Sequence, residues 1–267
     1  MLIWQINALS MKENNMKKMN HKKITVPTAV FILILCIWEM TVRIADIPLY
    51  ILPAPSKILL AVVSERNMLF LHGMVTLKET VIGLILAALF GILLAIIMDR
   101  FELFRTAAYP ILVVSQTVPV IVLAPIFIIY LGFGMAPKIL IVVLMCFFPI
   151  VISFADGMRH VDKNQVNLAR LFGAGRLRTY SLVKIPGAAP ALFSGLKVAA
   201  TYSITGAVVG EWLSSDCGLG YYMLRVKNGF MLDKVFACVV VIVLLSLLMN
   251  GCVKILQYIL MPNLRKK

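Results

Sequence analysis

Six stretches of this chain stay apolar for about as long as a helix needs to cross a lipid bilayer. A hydrocarbon core about 30 Å thick takes about 20 apolar residues to span. The stretches run Val26–Ala45, Val75–Met98, Ala107–Leu131, Pro137–Ala155, Ala188–Leu213 and Lys234–Met261. Lipid offers backbone N–H and C=O groups no partners, so segments of this kind must satisfy them internally as helices. The expected fold is an all-α membrane protein with six transmembrane helices. Composition agrees: 61% of the 267 residues are hydrophobic and 14% charged, with a mean hydropathy of +0.95. A soluble domain carries about 25% charged residues, so this chain has too little polar surface to cover a globule.

The net charge of +14 raises nucleic-acid binding as a function class, but the cations sit at span boundaries. Lys12, Lys17, Lys18, Lys22 and Lys23 precede the first span, and Arg100 and Arg105 follow the second. Arg159, Lys163, Arg170, Arg176, Arg178 and Lys184 follow the fourth, and Arg265, Lys266 and Lys267 close the chain. The alternate connections hold only Lys57, Arg66, Arg225 and Lys227. Cytoplasmic loops carry the excess of Lys and Arg, so both termini are expected in the cytoplasm and no nucleic-acid partner is expected. The chain then divides into a basic leader (1–25), a six-helix transmembrane domain (26–261) with a long cytoplasmic connection (156–187), and a basic tail (262–267). The first apolar run exceeds a signal-peptide core and no clear A-x-A site follows it, so it reads as a retained helix. The leader has no apolar periodicity and is expected to be disordered, with the start open among Met1, Met11, Met16 and Met19.

Close packing of helices in lipid relies on small residues. Gly83, Ala87, Gly91 and Ala95 recur every four residues in the second span, as do Ala191, Gly195, Ala199, Ser203 and Ala207 in the fifth, which adds the pair Gly206 and Gly210. These faces pack ordinary neighbours or line a pathway, and spacing does not separate the two. Polar residues within spans point to function by default, although snorkelling explains some near span ends. Glu39 and Arg43 are spaced for an i,i+4 ion pair. Gln116 and Thr117 precede Pro119, which should kink or break the third span. With Tyr202, Ser203 and Glu211 they form the candidate solute pathway. No mid-membrane carboxylate pair is legible. Five cysteines without a CxxC pair and three scattered histidines predict neither a disulfide framework nor a metal site.

The connection from Asp156 to Gly187 is too long and too patterned for a plain turn. Val166, Ala169 and Leu171–Phe172 predict a short amphipathic helix closed by Gly173. A second short helix is expected from Arg176 to Val183, with Pro186 preventing it from running on. Such a pair offers a docking surface or an amphipathic segment lying on the inner leaflet.

Asn167, Leu168 and Ala169, then Gly173 after three residues, then Val183, Ile185 and Pro186 after nine more, resemble the cytoplasmic signature of permease subunits of bacterial ATP-binding-cassette (ABC) importers. Asn167 stands where that family has an acidic residue, and Leu168 where it has alanine. Leu52-Pro53-Ala54-Pro55-Ser56, Gly210-Glu211-Trp212-Leu213 and Gly218-Leu219-Gly220-Tyr221 are similar to the branch importing nitrate, sulfonates, taurine and pyrimidine vitamin precursors. The resemblance implies coupling helices between spans four and five, with Asn167, Leu168, Ala169, Gly173, Ala174, Gly175, Val183, Ile185 and Pro186 docking on an ATPase. It implies a second permease copy as a homodimer, two P-loop ATPase subunits, an external solute-binding protein, and a multi-pass place in the bacterial inner membrane. The chain has no GxxxxGK[ST] phosphate loop, HExxH or GxSxG, so no enzymatic activity and no cofactor of its own are expected. ATP and Mg would belong to the partner ATPase. The solute would be a sulfonate- or nitrate-like anion or a thiamine-precursor pyrimidine. The alternative is a self-contained secondary transporter, for which repeats and ion-coupling groups would be expected.

Overall fold

A computed structural model describes residues 25–261; the leader to residue 24, the tail 262–267 and the choice of start fall outside them. Every regular element among the described residues is a helix. The chain runs α1 (Thr25–Ile44), α2 (Pro55–Ser64), α3 (Arg66–Arg100), α4 (Glu102–Ser115), α5 (Val120–Leu131), α6 (Met135–Arg159) and α7 (Lys163–Leu171). It continues with α8 (Arg176–Thr179), a π-helical turn (Tyr180–Lys184), α9 (Ile185–Ser214), α10 (Leu219–Asn228) and α11 (Leu232–Leu260). Five helical stretches are long and apolar enough to cross a membrane, or six if the bent pair α4–α5 is one span.

The third apolar stretch is two helices meeting at 99°. Thr117 and Val118 donate backbone bonds only to Val114 and Ser115, three residues back. Pro119 is extended (φ −63°, ψ 116°) and has no donor, so the helix stops and restarts there.

Pro186 does not end a helix as its composition predicts. α8, the π turn and α9 form one continuous helix over Arg176–Ser214. A proline lacks an N–H and crowds the carbonyl four residues back. The wider π turn lies directly before it, with Ile185 donating five residues back to Tyr180, and a π turn is a common way for a helix to absorb such a fault. α3 also outruns its apolar core, beginning at Arg66 instead of Val75. At 1.5 Å per residue its 35 residues extend about 52 Å.

The core lies where α6 is held between α3 and α9. Leu84, Ala87, Val142, Cys146, Ile150, Ala199, Ile204 and Ala207 are buried together there. The small-residue stripes are the reason. A Cβ at Gly83 would collide with Val142, and one at Gly91 would lie 3.0 Å from Ile150. A Cβ at Gly195 would come within 2.6 Å of the Pro149 carbonyl oxygen. Both stripes therefore pack against α6, and the packing reading holds for them.

Candidate functional site

Two regions concentrate polar chemistry, one at each end of the central helices. The first is the connection after α6. Asp162 caps α7 by accepting the Asn164 amide at 2.8 Å. α7 ends in a paired closure: Gly173 N–H donates to the Arg170 carbonyl at 2.9 Å and Ala174 N–H to that of Ala169 at 3.0 Å. Gly173 has φ +78°, a left-handed conformation that this closure requires and glycine adopts readily. Val166 faces inward, while Leu168, Leu171 and Phe172 face out, the last two more than 80% exposed. Asn167 and Gly175 are exposed, Ala169 and Ala174 half-buried. Val183, Ile185 and Pro186 lie in the π turn and the first residues of α9. Asp99 at the end of α3 accepts from Tyr180 (2.5 Å) and Lys184 (2.6 Å), tying this helix to the central bundle.

The second region lies at the opposite ends of α3, α6 and α9. Glu79 pairs with Lys138, both buried, and the buried Glu211 carboxyl lies nearby. Lys138 also donates to Ser215 Oγ at 3.0 Å. Thr76 Oγ1 donates to Glu211 Oε1 at 2.6 Å, and Gly220 N–H donates to Glu211 Oε2 at 2.6 Å. Leu219 N–H donates to Thr76 Oγ1 (2.9 Å) and Gly218 N–H to His72 Nδ1 (3.1 Å). The N-terminal amides of α10 are thus held by buried acceptors, with a carboxylate where the helix dipole favours one. Gly218 (φ +113°) sits against Glu211, where any Cβ would collide with the carboxyl group. The motifs around Glu211 and Gly218 therefore form one structural joint.

Glu79 and Glu211 are both buried, but near the ends of their apolar stretches and not mid-membrane, with Glu211 three residues from the end of α9. Glu211 does not snorkel, being 1% exposed. Glu79 and Lys138 escape the sequence reading because each looks like a span boundary. The available signal was the stripe itself: Glu79 precedes Gly83, Lys138 precedes Val142, and Glu211 follows Ala207, each by one four-residue step on a buried face.

The other pathway candidates are dispersed. Gln116 and Thr117 are exposed at the α4–α5 break, with Thr117 Oγ1 donating to the Val114 carbonyl at 2.7 Å. Tyr202 is 46% exposed on α9, whereas Ser203 is fully buried and donates to the Ala200 carbonyl. Glu39 pairs with Arg43 at 2.6 Å and also accepts the Ser56 amide (3.0 Å) and hydroxyl (2.8 Å). That carboxylate fastens α1 to the start of α2 and accounts for Ser56 in the Leu52–Ser56 motif. Among the described residues no cluster of metal-ligating side chains occurs.

Residues 87–266 match the family described as binding-protein-dependent transport system inner membrane component. The chain is 36% identical over 242 residues to the formylaminopyrimidine transport permease protein ThiX of Halalkalibacterium halodurans, covering 90% of this chain and 96% of that protein. It is also 36% identical to a probable ABC transporter permease protein of Haemophilus influenzae, over 83% of this chain and 90% of that one. Among solved structures, an amino acid ABC transporter chain superposes with a TM-score of 0.58 at 16% identity, covering 76% of this chain and 97% of that one, which speaks for the fold. Permeases of this kind act with a separate ATPase and a binding protein, and nothing in these comparisons supports a self-contained secondary carrier. With its helical bundle, broken span and capped loop, this multi-pass membrane chain belongs to the binding-protein-dependent inner membrane component family and is a permease subunit of an ABC importer of small solutes.

Proposed function

We propose that the connection around Gly173 is where this permease takes energy from its ATPase. The observation that carries this reading is the geometry of α7: a glycine-closed helix end presenting Leu168, Leu171 and Phe172 outward, with Asn167, Leu168 and Ala169 at the signature's first three positions beside it. Ala174, Gly175, Val183, Ile185 and Pro186 carry the surface back into α9. Asn167, in place of an acidic residue, contacts the ATPase as a neutral hydrogen-bonding group. Two copies of this chain pair, two ATPase subunits bind ATP and Mg beneath them, and an external binding protein delivers the solute. The chain itself holds no cofactor and catalyses no reaction. Both termini face the cytoplasm of a bacterial cell, on the charge asymmetry of the connections.

The solute crosses between the paired copies, past the exposed Gln116, Thr117 and Tyr202. Ser203 and Glu211 support that wall from within. The solute is a small pyrimidine heterocycle, a reading supported by the similarity to the Halalkalibacterium permease along 90% of this chain; a sulfonate- or nitrate-like anion is the other class.

Tagged purification from native membranes in mild detergent tests the assignment. A P-loop ATPase recovered one-to-one is expected, and Gly173→Val should lose it while the permease remains folded. Normal ATPase recovery with that variant would remove the loop from the coupling role. For the solute, uptake of a labelled formylaminopyrimidine is expected to be saturable and to fall with Gln116→Leu; uptake of taurine or nitrate instead would reassign the substrate.

A further inference from the structure

At the end of α3 a cavity of about 230 Å³ is walled by Asp99, Arg100, Arg170, Arg176, Tyr180 and Lys184. Asp99 is already engaged by Tyr180 and Lys184. Arg100, Arg170 and Arg176 form no ion pair with any described residue; Arg100 lies over the Phe101 ring, 5.4 Å from its centre. Three uncompensated guanidiniums around a concave space favour an anion rich in acceptor oxygens, above all phosphate. Arg100, Arg176 and Tyr180 also wall a second cavity of about 320 Å³, whose remaining sides include the apolar Ile96, Leu177 and Ile185. Leu177 is 87% exposed.

We propose that the two cavities form one site for an anionic phospholipid, with the phosphate held by Arg100, Arg170 and Arg176 and an acyl chain along Ile96, Leu177 and Ile185. A soluble phosphate would fill only the basic cavity and leave the apolar one wet. An acidic protein segment would meet the guanidiniums but not the groove beside them. The site lies where α3 leaves its apolar stretch. On the orientation proposed above, on which this inference rests, that is the level of the inner-leaflet headgroups, where basic pockets between helices bind anionic lipid. A lipid there would bridge α3 to the helix leading out of the docking loop.

The test is native mass spectrometry of the full chain in mild detergent, titrated with phosphatidylglycerol or with phosphatidylcholine of the same acyl chains. Phosphatidylglycerol should be retained preferentially. Each basic side chain near an anionic lipid is worth about fivefold in affinity, so Arg100→Gln/Arg176→Gln should weaken phosphatidylglycerol about thirtyfold and leave phosphatidylcholine unchanged, which also reports an intact fold. Arg170→Gln alone should weaken it about fivefold. Leu177→Gln should weaken both lipids and keep the preference. Equal retention of the two lipids by the wild-type chain overturns the site. Displacement of phosphatidylglycerol by glycerol phosphate at the lipid's own concentration makes it a soluble-anion site and overturns the lipid. A double variant that keeps phosphatidylglycerol but loses the ATPase assigns the arginines to docking instead. Lipid selectivity in a wild-type chain that recovers no ATPase supports this site and removes the docking assignment.

Discussion

Glu79, Lys138 and Glu211 put three ionisable groups out of reach of water, and their neighbours decide what each can tolerate. Two carboxylates face one ammonium, with the Thr76 hydroxyl and the Gly220 amide completing the Glu211 shell. Removing one member of a buried pair leaves the other charge unmatched, typically at about 3–5 kcal/mol. Lys138→Met should therefore lower stability by roughly that amount, read as a drop in thermal unfolding temperature of the purified permease. Adding Glu79→Gln should recover part of the loss, because the unmatched charge goes with it. Strict additivity of the two substitutions would show that the pair is not coupled. Gly173 is a different case, since no atom lies within 4 Å of a Cβ built there. Its constraint is φ +78°, so substitution by a branched residue strains the backbone, by about 1–2 kcal/mol, without any clash.

At the level of elements, α6 and α9 approach closely because glycines face backbone and short side chains. Gly195→Leu would drive its side chain into the Pro149 carbonyl and Ser153. Such overpacking commonly destabilises by about 1–3 kcal/mol; loss of the folded peak in size-exclusion chromatography, or a lower unfolding temperature, is the expected result. α10 is held at its other side by Glu65, which accepts from Tyr222 at 2.9 Å and pairs with Lys234 at 2.5 Å. Lys234, then Tyr222, hold the Glu65 carboxyl below its ordinary value of 4.5, while burial, then Glu65, pushes the Tyr222 phenol up. A carboxyl lowered in the folded state contributes stability above its unfolded pKa and loses it as pH falls through the folded one. The clamp of α10 on α11 should thus weaken below about pH 4.5. Glu65→Gln should flatten the acid limb of the unfolding-temperature profile; an unchanged limb would assign that acid loss to other groups.

For the whole molecule, one helix from Arg176 to Ser214 joins the α7 connection to the buried cluster. Its 39 residues extend about 58 Å, and its far end is fixed to α10 through Glu211, which accepts the Gly220 amide. The direction proposed across the membrane rests on the charge asymmetry of the connections. A cysteine at Lys57, introduced with the five native cysteines replaced, should react with an impermeant thiol reagent in intact cells. Protection at position 57 with reaction at Arg178→Cys would reverse the orientation.

The spans, the break before Pro119, the Glu39–Arg43 pair and the end of α7 at Gly173 were all legible in the sequence. Each is set by residues within one or two turns of one another: apolar length, a missing N–H, an i,i+4 spacing, a left-handed glycine. The family resemblance of the α7 connection was equally local, carried by residues 167–186. What lay beyond local reading was anything requiring two elements to meet. Nothing near Pro186 reveals that a π turn carries the helix through it. Nothing near Glu79 names Lys138, 59 residues away, as its partner. The four-residue recurrence of small residues determined which faces of α3 and α9 pack inward, because a larger side chain at Gly83, Gly91 or Gly195 would meet α6. Tertiary structure alone decided that these two faces and that of α6 end in charges at the same level, because only packing in register brings them within bonding distance.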